Sequence, residues 1–331
     1  MKTDMAPARP ALRDGGALLR QAEMQARQAM AVPALVRQHL LPESAQALRE
    51  DDLSLMGGFI DSIAARLWEA LAVDGDPVEP GDLVRHVVLA HAPTARLVHA
   101  RAVEARLCRH SGLVGLHVPE LPSRIESQVS DAQDELAEAA MALIIAQSRF
   151  LSRAQAFALD LDEFPPEILH GLVRLALAWL QGQPGADPLA LAGASDALLQ
   201  GFDERRGRPH RLMRFCHLFA LPRAGDDWSL ADNGPSLVMA MLERASDLPS
   251  DLLFDMLRDP DMARLAVVLR ACGLEPDTAA RLLQGLAMIA SLRVEHVPAA
   301  ADLRALPSDD AARLLALWRN LAPDSLPGTG W

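Results

Sequence analysis

The stretch from 130 to 158 limits the possible folds of this chain more than any other segment. One set of positions recurs along it in alternating steps of four and three: Leu136, Ala140, Leu143, Gln147, Phe150, Ala154 and Phe157. A neighbouring set follows the same course: Ala137, Met141, Ile144 and Leu151. This spacing matches the 3.6-residue period of an α-helix. Two adjacent stripes predict a wide buried face, and therefore a helix at the centre of the packing.

The same helical period recurs elsewhere, and no segment shows the alternation typical of a strand. The clearest second case lies between 53 and 71, where the stripe is Leu53, Met56, Ile60, Ile63, Leu67 and Leu71. Short helical segments are separated by turns rich in Pro, Asp and Gly. We therefore predict an all-α fold of stacked antiparallel helix pairs, in a HEAT-like or irregular α-solenoid.

At 331 residues the chain exceeds the usual size of one domain. The segment QGQPGADP, at 181–188, is the strongest candidate for a linker. The predicted organisation comprises two helical domains between two flexible tails: a tail at 1–12, an N-terminal domain at 13–181, a C-terminal domain at 188–321 and a tail at 322–331.

The charge balance argues against nucleic acid as a partner. The formal net charge is −12, and duplex DNA is bound mainly by neutralising its phosphates. A helix-turn-helix at 270–283 would open its recognition helix with Glu275 and Asp277, which would face phosphates unfavourably. No segment offers 18 uninterrupted apolar residues, so membrane insertion is not expected. The N-terminus has no long apolar run typical of a signal peptide, and we expect a cytoplasmic protein.

Several kinds of catalysis lack their usual residues. The chain has no tyrosine, and its only lysine is Lys2, so a phosphate-loop lysine and a Schiff-base lysine are missing from its body. Cys108, Cys216 and Cys272 are far apart and form no C-x-x-C pair, which predicts buried free thiols. His170 has no nucleophile near it in sequence, which favours a structural role. No catalytic residue, metal or cofactor is predicted.

One basic run is the candidate binding site for an anion or an acidic partner. Six basic residues fall within ten positions: Arg205, Arg206, Arg208, His210, Arg211 and Arg214. Pro209 suits the first turn of a helix, and the forked arginine side chain matches phosphate and carboxylate oxygens. The alternative is a solvated turn held by salt bridges. His210, Arg214 and His217 share one helix face, but a metal would need further ligands.

An acidic run just before Pro165 has two interpretations. Asp160, Asp162 and Glu163 carry the oxygen ligands that a cation would require. They also directly precede a helix start, where carboxylates accept hydrogen bonds from the first backbone amides. We expect them to cap that helix.

Two stretches resemble a known but uncharacterised family. The first runs from 139 to 172 as AAMALIIAQSRF, LSRAQAFALDLDE and FPPEILHGL, and the second is ARLAVVLRACGLEPDTAARLL at 263–283. Together they resemble the alphaproteobacterial domain-of-unknown-function family 2336. The resemblance implies a helical fold with HEAT-like packing. It implies no catalytic residues.

These observations favour a non-enzymatic helical scaffold, a regulatory or signalling module that binds a protein partner still to be identified. Solenoids present the long surfaces that such a role requires. The alternative is a helical enzyme or small-ligand binder that recognises an anionic ligand at 205–214. A specific protein partner would favour the scaffold, and a copurified metabolite or ion would favour the alternative. The oligomeric state is left open.

Overall fold

The computed structural model describes residues 15–29, 50–71, 80–110, 122–131, 134–219 and 228–321. Within these ranges the chain is helical and contains no strand, as predicted. The first eight helices are α1 Gly15–Ala29, α2 Glu50–Leu71, α3 Pro80–Leu83, α4 Ala92–His110, α5 Ser123–Asp131, α6 Asp134–Gln155, α7 Pro166–Gln181 and α8 Pro188–Gly201. The next seven are α9 Arg208–Leu218, α10 Leu230–Ser246, α11 Ser250–Met256, α12 Ala263–Ala271, α13 Pro276–Ile289, α14 Ala300–Ala305 and α15 Ser308–Leu321.

Four short turns of other helical types connect these elements. A π-helical turn, Val84–Val88, follows α3. The 3-10 turns are Leu161–Glu163, Glu204–Arg206 and Val294–His296. The second of them lies directly before α9, so it presents part of the basic run at the entrance of that helix.

Helix α2 forms as its apolar period predicts. The stripe positions Met56, Ile60, Ile63, Leu67 and Leu71 are all buried. Three acidic residues in the first turn suit the positive end of the helix dipole. The predicted apolar stripe is therefore the face that α2 packs against the core.

Helix α4 is buried around nearly its whole circumference, whereas α6 buries one face, which includes Ala140, Leu143, Gln147, Phe150 and Ala154 of its predicted stripe. In α4, Thr94, Ala95 and every residue from 97 to 108 are buried. In α6, by contrast, Met141 and Ile145 are 46% and 60% exposed. Three charged residues of α4 are paired inside the protein: Arg101 with Glu104 of the same helix, and Arg106 with Asp52 of α2.

The buried apolar residues form two clusters that meet at α4 and α6. The first cluster combines α2, α3, α7 and α8 with parts of α4 and α6. The second combines α1, α5 and α9 to α15 with the remaining parts of α4 and α6. Helices α4 and α6 therefore connect the two hydrophobic clusters.

The two clusters do not follow the predicted domain division, which stays a prediction. Helix α8 begins at the end of the proposed linker, yet it packs against α7 and α2. Helix α1 packs against α12, and Gln25 Nε2 donates a hydrogen bond of 2.7 Å to Asp261. The proposed tails at 1–12 and 322–331 lie outside the described residues. None of the helices in the described ranges is both long and apolar enough to cross a membrane.

Candidate functional site

Most of the predicted basic cluster lines a groove between α6 and α9. The groove has a volume of about 390 Å³. Its lining residues are Glu138, Ala139, Ala142, Arg205, His210, Arg211 and Arg214. Helix α9 starts close to the neighbouring chain, because a side chain at Gly207 would collide with the carbonyl oxygen of Asp162. This close approach fixes the first turn of α9 beside the groove.

Contacts within the groove are few and mostly solvent-exposed. Arg211 donates a hydrogen bond of 3.0 Å to the carbonyl oxygen of Ala142, which orients its side chain along α6. Arg214 Nη2 lies 3.7 Å from a carboxylate oxygen of Glu135. Exposed pairs of this kind contribute at most about 1 kcal/mol, so a ligand carboxylate or phosphate can compete for the guanidinium.

Two members of the predicted cluster do not line the groove. Arg206 is exposed, and its Nε lies 3.7 Å from a carboxylate oxygen of Asp203 in the same turn. Arg208 is buried, with 2% of its surface exposed. Contrary to the prediction, Arg208 does not reach a ligand in solvent, because its guanidinium is enclosed and already paired with carboxylates.

The sequence does contain a signal for the burial of Arg208. Positions 208, 212 and 215 are separated by four and three residues, so they share one face of α9. Leu212 and Phe215 on that face are buried, as Arg208 is. His210, Arg214 and His217 share a different face and are exposed. The helical period therefore separates the buried arginine from its exposed neighbours.

Arg208 is held between two buried carboxylates. Its Nη1 donates a hydrogen bond of 2.6 Å to Glu104, and its Nη2 donates one of 2.8 Å to Glu163. Arg101 donates a bond of 2.9 Å to Glu104, and its Nε lies 3.2 Å from Glu163. Two guanidinium groups thus face two carboxylates, and the four charges sum to zero.

Neutral groups complete this network. The side-chain oxygen Oε1 of Gln147 accepts a hydrogen bond of 3.2 Å from Arg208, and its side-chain Nε2 donates one of 3.2 Å to the hydroxyl of Ser236. The guanidinium carbon of Arg208 lies 3.8 Å from the ring centroid of Phe150. A cation over an aromatic face is stabilised by the quadrupole of the ring. The Arg208 network therefore joins α4, α6, α9, α10 and the turn before α7.

The electrostatics of the network favour the ionised forms of Glu104 and Arg208. Burial alone would raise the pKa of Glu104, but Arg208 and Arg101 hold it at about 2. Burial opposes the charge of Arg208, and the two carboxylates still raise the pKa of its guanidinium above the ordinary value. Glu104 and Arg208 therefore do not exchange protons near neutral pH, and we interpret the network as a structural element.

The acidic run before Pro165 does not cap α7, and this prediction was wrong. The residue at the helix start is Pro165 itself, and no side chain bonds to the first turn. Glu163 turns inward to Arg208 instead. Asp160 accepts a contact of 2.8 Å from Arg149, and Arg153 Nε lies 3.5 Å from it.

Within the part of the chain that the structure describes, the thiols are buried or partly buried and no metal-binding cluster forms around the histidines. Cys108, Cys216 and Cys272 form no disulfide with one another; the first two are buried and the third is partly buried, as the sequence predicted in outline. Burial raises the pKa of the Cys108 and Cys216 thiols to about 12, which makes them poor nucleophiles. His170 is exposed on α7. Among the described residues, no three His, Cys, Asp or Glu side chains gather where they could hold a metal ion.

Another buried arginine, Arg264, was not predicted from the sequence. Arg264, at the start of α12, donates bonds of 2.8 and 2.7 Å to Asp259 and one of 2.9 Å to Asp255. All three residues are buried. The signal was the acidic run that precedes Arg264, which is close enough in sequence to form a local turn.

Comparisons of the chain with protein-family models, with curated proteins and with solved structures find no match, so the groove must be interpreted from its own chemistry.

Proposed function

We propose that this protein is a non-enzymatic helical scaffold whose groove between α6 and α9 holds an acidic segment of a partner protein. The observation that carries the proposal is the groove itself, which Arg205, His210, Arg211 and Arg214 line together with one carboxylate, Glu138, while Glu135 lies 3.7 Å from Arg214. The solenoid arrangement and the resemblance to family 2336 belong to the same proposal.

Charge is the first support for this function. The whole chain has a formal net charge of −12, so a local excess of positive charge is unusual on its surface. Arginine forks recognise carboxylates in a fixed geometry, with two parallel hydrogen bonds. An acidic partner would be steered to the groove, and the acidic remainder of the surface would repel it from other sites.

The rigidity of the groove is the second support. One wall belongs to α6 and the other to α9, and the Arg208 network joins these helices from behind through Gln147 and Phe150. A wall that is already fixed loses little conformational entropy when a ligand binds. The buried arginine thus assists binding without touching the partner.

The test is charge reversal on the groove, with a matched reversal elsewhere. The groove variant carries Arg205→Glu and Arg214→Glu. The control carries Arg174→Glu on α7 and Arg313→Glu on α15, which are also exposed. Proteins captured from the native cell would be quantified by mass spectrometry for wild type and both variants.

We expect at least one captured protein to be reduced about tenfold by the groove variant and retained by the control, which corresponds to about 1.4 kcal/mol. Capture by wild type should weaken when salt rises from about 0.15 M to about 0.5 M, because exposed charges are screened. If every captured protein binds wild type and groove variant equally, the proposed function is wrong.

A small anionic ligand is the second candidate, and the size of the groove favours it. Small-molecule sites range from about 300 to about 1,000 Å³, and the groove measures about 390 Å³. Native mass spectrometry of protein purified from its own cell would detect such a ligand. A bound anion that is lost in the groove variant and kept in the control would replace the protein partner in this proposal.

A further inference from the structure

The outer face of α6 carries an unusual concentration of exposed apolar side chains. Six large hydrophobic residues of the described chain are strongly exposed: Met24, Met141, Ile145, Phe157, Leu189 and Leu317. Two of them lie on α6, and a third lies in the turn that follows it. Single exposed apolar residues are common on soluble proteins, but neighbouring ones indicate a contact surface.

These residues belong to a continuous ridge. Met141, Ile145, Arg149 and Arg153 are four residues apart, so each is the neighbour of the next on the helix surface. Arg149 and Arg153 are exposed. The twelve steps along the helix from Met141 to Arg153 correspond to a rise of about 18 Å at 1.5 Å per residue. We call these four residues the α6 ridge.

The apolar end of the α6 ridge borders the basic groove. Ala142 lines the groove, and it lies one residue after Met141 and three before Ile145. Arg211 crosses to the carbonyl oxygen of Ala142 from α9. A ligand in the groove would therefore reach Met141 and Ile145 without leaving the surface of α6.

The opposite end of the α6 ridge is also positive. Arg149, Arg153 and Arg66 of α2 converge on one carboxylate, Asp160, at distances of 2.8, 3.5 and 3.8 Å. Asp162 lies 3.9 Å from Arg149. Three guanidinium groups thus face two carboxylates, and a further anionic group would improve the local charge balance.

Phe157 stands beside this end on a turn that is held in place. Its backbone φ of 55° is in the left-handed region, which is uncommon for a bulky residue. The turn packs against Gly58, where an added side chain would collide with Phe157. The backbone amide of Leu159 donates a bond of 2.9 Å to the hydroxyl of Ser62. The aromatic ring is therefore presented to solvent from a fixed backbone.

We propose that the α6 ridge binds an acidic amphipathic helix of a partner protein. The inference rests on the proposed function and specifies its partner: two apolar side chains one turn apart would cover Met141 and Ile145. Carboxylates at the two ends would meet the groove and the arginines near Asp160. Apolar anchors three or four residues apart are how a helix is recognised by a complementary surface.

Charge complementarity favours this occupant over a second copy of the chain. A two-fold contact through the α6 ridge would bring the same patch together from both copies, including its arginines. Each copy would also add a net charge of −12 to the assembly. An acidic helix avoids both repulsions.

The experiment selects binders from a display library of random peptides of about 16 residues, with the full chain as the target. Affinities of the selected peptides would be measured by fluorescence anisotropy for wild type, Ile145→Glu and Leu189→Glu. Leu189 is the matched control because it is 83% exposed on α8, away from the ridge. The Arg205→Glu, Arg214→Glu variant tests the groove in parallel.

We expect selected peptides to be rich in Asp and Glu, with apolar residues three or four apart. Ile145→Glu should weaken their binding about tenfold or more, and Leu189→Glu should leave it unchanged. Acidic peptides that tolerate Ile145→Glu but are lost in the groove variant would overturn the ridge and leave the proposed function standing.

Two further outcomes decide against the inference. If no acidic peptide is recovered, or if recovered peptides tolerate both variants, the ridge and the groove function both fail. If sedimentation shows a wild-type dimer that Ile145→Glu dissociates, the ridge is an interface between copies of this chain, and the proposed occupant is wrong.

Discussion

Arg208 and Arg264 are both buried and both paired with two carboxylates, yet they hold different parts of the fold. The partners of Arg264 lie five and nine residues away, Asp259 in the turn before α12 and Asp255 at the end of α11. The main partners of Arg208 lie 45, 61 and 104 residues away. One arginine stabilises a local turn, and the other joins helices from both hydrophobic clusters.

The comparison shows that the role of a buried charge in the fold depends on how far apart in sequence its partners lie. Removing one partner from a buried ion pair leaves the other uncompensated, whatever the sequence distance. A local turn can rearrange and admit water to its carboxylates. The carboxylates of the Arg208 network are held by α4 and by the turn before α7, which cannot move without disturbing both clusters.

The largest expected effect is that of Arg208→Met. This substitution keeps an apolar stem and leaves Glu104 and Glu163 facing each other with only Arg101 between them. We expect the free energy of unfolding to fall by about 5 kcal/mol, the upper end for breaking a buried pair. Urea denaturation followed by circular dichroism measures it.

Arg208→Lys sharpens the result. A lysine keeps the charge, but one ammonium cannot make the parallel bonds of a guanidinium to two carboxylates. We therefore expect Arg208→Lys to lose most of the free energy of unfolding that Arg208→Met loses. A lysine variant as stable as wild type would mean that the positive charge at position 208 is sufficient, and that the parallel hydrogen bonds of the guanidinium are not needed to join the two clusters.

Arg264→Met should destabilise less, by about 3 kcal/mol, the lower end for a buried pair. Its two carboxylates lie within nine residues of it in sequence, at the end of α11 and in the turn that follows, so this segment can rearrange without separating the two clusters. The same denaturation measurement applies. Losses that are equal for Arg208→Met and Arg264→Met would break the distinction between local and long-range networks.

Phe150→Leu tests the aromatic ring beneath Arg208. Its matched control is Phe254→Leu, a buried phenylalanine of α11. Both substitutions keep an apolar side chain, but only the first removes a ring face from a buried cation. We expect Phe150→Leu to lose about 1–2 kcal/mol more than the control, in the range of a desolvated cation–π contact. Equal losses would mean that the ring acts only by its volume.

Acid should affect the two networks in opposite directions. The pKa of Glu104 is lowered from 4.5 to about 2, so its contribution to stability is present above pH 4.5 and is lost as the pH falls toward 2. Burial raises the pKa of Asp259 above its ordinary 3.8 more than Arg264 lowers it. The folded state therefore favours the protonated form of Asp259, and its contribution falls as the pH rises above 3.8.

Stability measured from about pH 2.5 to about pH 6 would separate the two carboxylates. The loss caused by Glu104→Gln should grow as the pH rises, and that caused by Asp259→Asn should shrink. Parallel pH profiles for the two variants would contradict the assignment of opposite shifts.

The smallest expected effect on stability is that of the exposed arginines. Arg205→Glu with Arg214→Glu should change the free energy of unfolding by less than about 0.5 kcal/mol per site, because surface charges contribute little. A larger loss in the same denaturation assay would place the groove residues with Arg208 as structural elements, and the binding test would lose its folded variant.

The sequence predicted the elements of this fold better than their roles. The period of three and four located α2 and α6 because each buries a continuous face. It misjudged Met141, which is 46% exposed although Leu151 of the same stripe is buried, because period alone gives no direction toward the core. It also could not pair Glu104 with Arg208, since nothing local connects residues 104 positions apart. The basic residues between 205 and 214 are close together in sequence, so they could be identified as a group, although the burial of Arg208 was not predicted.

The large sequence separation between Arg208 and its partners also has a consequence for folding during synthesis on the ribosome. Chains are synthesised from the N-terminus, and early segments begin to fold while later ones are still missing. Glu104 and Glu163 emerge well before Arg208, so α4 cannot be enclosed with both carboxylates ionised until α9 has been made. The centre of the molecule is therefore expected to remain wet during synthesis and to close as one of the last events.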